Sequence, residues 1–291
     1  MTEPQSYEGS VAAQIDRLVI AGHEAAGAYP NPPKGFLHLK ARAQPALLTM
    51  AAVILAERAI GRDDVVTMQP YLSPKLMNAL VDSNIAGGVV VEADRGLALT
   101  EAGSEAAAAT VELQETATEA MWAAADLDAV ESVSQALAKR GSTLPPLDKP
   151  AAFPLFAAIC ARPTQAGRVL RLITALRYWR ADAHRAAVKA AGFQPREAHA
   201  LNTLWDSQRG VVRLGQGFPD PGRAVTVLEE RGLAANSAIT TEGIALREAI
   251  ERDTDHRTRP LYEELDQAAR DHYLTTLTVL PGNANPGIPG T

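Results

Sequence analysis

Arg177, Tyr178, Arg180, Asp182 and His184 fall within eight consecutive positions of the chain. On a helix, Arg177 and His184 share a face, and Arg180 stands one turn before His184. Arginine pairs bidentately with carboxylates and phosphates. Histidine exchanges its proton near neutral pH. Together these five suit an anionic or aromatic small molecule, and they are the candidate ligand-binding residues. The same side chains serve equally well in helix packing, with Asp182 or His184 fixing an arginine. Trp179 and Trp205 are candidates for the wall of such a pocket or for the core.

Other chemistries find less support. Gly215-Gln216-Gly217 lacks a third glycine and is followed by Pro219 and Pro221, which spoils a phosphate-binding loop. No P-loop, H-E-x-x-H or G-x-S-x-G motif is present. Cys160, the single cysteine, lies in an apolar run and reads as a packed thiol. Asp253, Asp255 and His256 have metal-ligand chemistry, but on a helix they read as a solvated face. His272 and Tyr273 stand alone near the C-terminus. No enzyme constellation, metal or cofactor is expected.

The elements that must position these residues are mostly helices. The chain has 291 residues, enough for two domains. It is 46% hydrophobic and 21% charged, which suits a buried core. Aromatic residues make up only 5%, and alanine-rich stretches are frequent. Alanine is the best helix former, so a mainly α fold is expected. No apolar run reaches the roughly 18 residues of a membrane span, and the polar, acidic first ten residues do not resemble a signal peptide. A cytoplasmic protein is expected.

Apolar spacing predicts helices over residues 11–28, 45–60, 74–86, 100–125, 166–191, 195–206 and 222–231. The Tyr29-Pro30-Asn31-Pro32-Pro33 run separates the first two. Ser73 and Pro74 suit the cap and first turn of the third helix, and Gly87-Gly88 ends it. Val89-Val90-Val91, the turn 93–96 and Leu97-Ala98-Leu99 form a hairpin, and Thr100 caps the next helix. Helix, hairpin, helix is the order of a winged helix. A Pro-rich stretch, 141–152, reads as a linker between an N-terminal unit, 1–140, and a C-terminal unit, 153–291, that ends in a polar tail.

Charge is distributed unevenly. Residues 1–161 carry 11 basic and 19 acidic side chains, a balance of −8. Residues 162–223 carry 11 basic and 4 acidic ones, a balance of +7. A basic region in an acidic protein points to an anionic partner, or to arginine stems covering apolar surface.

Residues 72–103 resemble the recognition helix and wing of MarR-type transcription regulators. The matching motifs are Leu72-Ser73-Pro74, Leu80-Val81-Asp82, Asp94-Arg95-Gly96 and Leu99-Thr100-Glu101-Ala102-Gly103. Ile239-Thr240-Thr241-Glu242-Gly243 echoes the last of these 140 positions later, after Val227 to Leu233, which resembles the end of a second recognition helix. The second half is also similar to tandem, actinobacterial-type helix-turn-helix proteins related to MarR. That similarity rests on Leu155-Phe156-Ala157-Ala158, on residues 180–184, and on Asp253-Thr254-Asp255 with Pro260.

The resemblance implies two tandem winged helices forming a pseudo-dimer in one chain, as a monomer or a weak dimer. It implies double-stranded DNA as a partner. Ser73, Lys75 and Asn78 would enter the major groove, and Arg95 would reach from the wing tip. Arg209, Arg213 and Arg223 are the second-copy counterparts. The expected function is a ligand-responsive DNA-binding regulator; the alternative is a small-molecule-binding protein on the same scaffold without DNA binding. Neither recognition helix is strongly basic: Lys75 stands against Asp82, and Arg223 and Arg231 stand against Glu229 and Glu230.

Overall fold

One helix organises the molecule. In a computed structural model, residues 6–27, 57–68, 74–149, 151–158, 162–209 and 221–282 are described. In chain order the helices are α1 (Tyr7–Gly27), α2 (Arg62–Met68), α3 (Pro74–Ala86), α4 (Glu101–Trp122), α5 (Asp128–Thr143), α6 (Phe153–Ala157), α7 (Gln165–Ala190), α8 (Pro195–Gln208), α9 (Pro221–Glu230), α10 (Thr241–Thr258) and α11 (Gln267–Val279). Hairpin β1 (Val90–Ala93) and β2 (Gly96–Leu99) separates α3 from α4. A shorter one, β3 (Ala234–Ala235) and β4 (Ala238–Ile239), separates α9 from α10.

The Thr164 hydroxyl starts α7 by accepting the Gly167 N–H. Gly192, at φ +75°, ends it, where a side chain would be strained. Every residue from Val169 to Leu176 is buried. A helix stretch buried on every side lies inside the protein, here with Arg171 and Thr174 among its apolar residues, and α7 packs against α1, α4, α5, α6 and α10.

One apolar cluster runs from Val11 on α1 to Leu280 beyond α11 and includes Met77, Val89, Leu97, Ile173 and Tyr273. A second, from Ala187 to Ile250, lies beneath α8, α9 and the short hairpin. The first helix–hairpin–helix unit thus shares its core with the middle of the central helix, whereas the second packs on the last turn of that helix through Ala187 and Val188.

The turns that follow α3 and α9 make the same set of backbone and threonine bonds. Gly88 (φ +72°) and Gly232 (φ +71°) close α3 and α9 in the left-handed conformation. Their N–H groups donate to Ile85 and Glu229, and the next residues, Val89 and Leu233, donate to Asn84 and Leu228. The Thr100 hydroxyl donates to Gly88 O at 2.7 Å and accepts the Gly103 N–H at 3.0 Å. The Thr240 hydroxyl donates to Gly232 O at 2.8 Å and accepts the Gly243 N–H at 3.1 Å. Thr100 N–H meets Val89 O, and Thr240 N–H meets Leu233 O.

The hairpins themselves differ. The first pairs Val90 with Leu99 and Ala93 with Gly96. Ile60 adds a bridge to Leu97 on its outer edge. The second pairs only Ala234 with Ile239 and Ala235 with Ala238, around Asn236 and Ser237, both at positive φ. Two successive left-handed residues make the tight two-residue turn of a hairpin.

Three features depart from the sequence reading. Residues 128–143 form a helix, α5, that the apolar spacing did not single out. In the 141–152 stretch, Asp148 is buried rather than solvated. The expected polar tail contains α11, which packs back on α1 and α5. There Tyr273, fully buried, shares a hydrogen bond of 2.8 Å with Ser134. The helix expected over 45–60 and the Gly/Pro loop at 210–220 fall mainly outside the described residues, as do Ser73, Arg213 and Cys160.

Candidate functional site

The first candidate interface is the surface of α3 and the long hairpin. Lys75 is exposed on the first turn of α3, Asn78 is half-buried, and Arg95 is exposed at the hairpin tip. Gly96 makes that tip feasible: at φ +118°, a Cβ there would meet Ile60 O at 2.6 Å. Arg62, at the start of α2, bonds Asp82 on α3 and Glu92 on β1, each at 2.7 Å. It therefore clamps the hairpin to the helix, and those carboxylates hold its guanidinium above the usual arginine pKa. Lys75 and Arg95 thus sit among Asp82, Glu92 and Asp94.

In the second unit, Arg209 follows α8 and lies 4.3 Å from the Trp205 ring centroid. Arg247 of α10 lies 3.7 Å from the same ring. The indole is flanked by two cations, each held by its π face. Arg223 is exposed on the first turn of α9. Arg231 lies 3.7 Å from the Phe193 ring and donates to Gly192 O at 3.3 Å. The short hairpin tip carries no cation; Ser237 N–H donates to Glu229 at 3.3 Å.

The five candidate ligand residues point three ways from α7. Arg177 pairs with Asp16 of α1 at 2.7 Å. Tyr178 is buried and stacks on Phe156, centroids 3.7 Å apart. Burial pushes its hydroxyl pKa up to about 12. Asp182 is also buried and faces α6. It accepts the Ala152 N–H at 3.0 Å and the Phe153 N–H at 2.9 Å, and it takes Arg185. Burial raises its pKa, and Arg185 and those N–H groups oppose the rise. Arg185 continues to the buried Asp148 at 2.8 Å, and Lys189 reaches the same carboxylate at 2.6 Å.

Arg180 and His184 come together on the opposite side, against α10. Arg180 bonds Glu251 at 2.8 Å and Asp255. Asp255 also accepts the Ser6 hydroxyl at 2.6 Å. His184 Nδ1 lies 3.2 Å from the Thr254 hydroxyl and 3.9 Å from Glu251. Burial lowers its pKa, Glu251 raises it, and Arg180 and Arg247 lower it further. Glu251 and Asp255 were not singled out as partners for Arg180. The signal was present: both pairs are spaced four apart, so each presents two groups on one helix face. Asp253 instead pairs with Arg257 along the same helix at 2.9 Å.

Residues 146–283 match the model of a helix-turn-helix family. This part of the chain carries a helix-turn-helix domain, and it contains α8, α9, the short hairpin and α10. No curated protein and no solved structure matches the chain. Among the described residues, no helix is long and apolar enough to cross a membrane.

Proposed function

We propose that this protein is a cytoplasmic DNA-binding regulator built from two winged helices in tandem, residues 1–140 and 153–291, joined by 141–152. The observation that carries this reading is the repeated turn after α3 and α9. Glycine, threonine and backbone bonds recur there in the same order, and the second copy lies within the helix-turn-helix match. Such a repeat supports a MarR-like pseudo-dimer within one chain, with the pseudo-two-fold that homodimers obtain by association.

In this reading α3 and α9 enter successive major grooves. Lys75 and Asn78 face base edges in the first, and Arg223 in the second. Arg95 contacts the flanking backbone or minor groove, and Arg209 contacts phosphate beside α8. Ser73 and Arg213 complete the set. Ligand response belongs to α7: an anionic or aromatic molecule reaching Arg177, Arg180 and His184 competes with Glu251 and Asp255 for Arg180. That competition would alter how α10 is held on α7, and with it the spacing of the units.

A second reading keeps the scaffold and removes the DNA. It is favoured by the charges around the long hairpin, where Asp82, Glu92 and Asp94 balance Arg62, Lys75 and Arg95 and leave no net positive charge. Fluorescence polarisation against DNA flanking the coding region distinguishes the two. The regulator reading expects binding that Arg95→Ala and Arg223→Ala each weaken. Equal weak binding by wild type and both variants favours the second reading.

A further inference from the structure

The turns after α3 and α9 set a register between the two units. Gly88 matches Gly232, which places Leu80 against Ala224 and Asn84 against Leu228, and all four of these are buried. In that register the side chains available to bases differ. Asn78 of α3 corresponds to Gly222, and the exposed Arg223 of α9 corresponds to the exposed Ala79. An asparagine amide pairs with adenine in the major groove, and an arginine pairs with guanine. The two helices therefore suit different bases.

The hairpins differ as well. Eleven residues, 89–99, lie between Gly88 and Thr100, but only seven, 233–239, lie between Gly232 and Thr240. Each strand of the second hairpin is two residues shorter, so its tip stops about 7 Å sooner. The long hairpin carries Arg95 exposed at its tip, is edged by Ile60, and is tied to α3 by Arg62. The short one carries Asn236 and Ser237, both exposed, with the Glu229 carboxylate accepting the Ser237 N–H. A tip beside a carboxylate and without a cation gains nothing among phosphates. Arginine, by contrast, is drawn into the narrow minor groove of A·T tracts. A reader with exact two-fold symmetry demands a palindromic site. We propose that this protein reads a non-palindromic duplex in one fixed orientation, an inference that rests on the regulator reading of both units. At one end Asn78 faces adenine, and Arg95 lies between the phosphates of a narrow A·T minor groove. At the other end Arg223 faces guanine, and the hairpin makes no groove contact.

The test is selection of duplexes by the full-length protein from a library of roughly 30 random base pairs, long enough for two half-sites a helical turn apart. The recovered sequences are expected to share an oriented motif with an A·T run at one end only. Replacing that run by G·C pairs should weaken wild-type binding about tenfold, read by fluorescence polarisation, and should leave Arg95→Ala unaffected. Arg223→Ala should relax the preference at the other end alone. Both side chains are exposed, so both variants are expected to fold. A palindromic motif, or A·T runs at both ends, overturns the inference and leaves the regulator reading in place. So does an Arg95→Ala protein as sensitive to the A·T run as the wild type. No enrichment over the starting library overturns both.

Discussion

At the residue scale, Asp182 and His184 play different parts although they stand two positions apart. Asp182 holds the start of α6 through two backbone N–H groups and neutralises the buried Arg185. Removing Asp182 leaves two buried N–H groups without an acceptor and Arg185 with Asp148 as its remaining carboxylate, at a cost of about 3 kcal/mol. Asp182→Ala is therefore expected to lower the urea-unfolding free energy by about that amount, and Asp182→Asn by less. His184 is held neutral by burial, with its pKa below the ordinary histidine value. Below pH ~6.5 the unfolded chain takes up a proton that the buried ring refuses. Stability from this group is thus full above that pH and declines as the pH falls towards the folded pKa. Urea titrations from pH 7.5 to 5 should show that decline, and His184→Gln should flatten it. The residue types at 177–184 were legible as a cluster of functional chemistry. Their division among three neighbours was not, because partners such as Asp16, Ala152 and Asp255 come from distant parts of the chain.

At the element scale, the two glycines that open α4 and α10 hold the hairpins against the helices. A Cβ at Gly103 would lie 1.9 Å from Val89 O, and one at Gly243 would lie 2.3 Å from Leu233 O. Both contacts are with backbone, so the turn itself must move. Gly88 has open space around its Cβ direction, and only its φ of +72° opposes a side chain. Gly88→Ala should cost about 1 kcal/mol, and Gly103→Ala and Gly243→Ala clearly more, in thermal unfolding of the three variants side by side. These turns were readable because their signals are local: a threonine three residues before a glycine, and a glycine after an apolar helix. Helices α5 and α11 escaped for the opposite reason. Their burial depends on contacts with α7 and α1, as at Ser134 and Tyr273, and their own patterns are diluted by polar residues.

At the scale of the whole molecule, α7 joins two units that have similar turns and dissimilar surfaces. The first presents a long hairpin with Arg95 at its tip. The second presents a two-residue turn and relies on Arg209 and Arg223. The mainly α-helical character followed from alanine content and apolar spacing. The sharing of one core from Val11 to Leu280 did not, since it requires the last helix to return to the first. The central claim is that these two surfaces together hold duplex DNA. The salt-sensitive part of the affinity should then come from phosphate contacts by Arg95 and Arg209, with Lys75 and Arg223 facing base edges. Two such contacts give a slope of roughly −2 in log affinity against log salt. The most direct measurement is the affinity of the wild-type protein for its flanking DNA across a series of salt concentrations. A slope near that value, reduced by about one in Arg95→Ala, is the predicted result. No binding above background at the lowest salt, or an affinity indifferent to salt, would contradict the account.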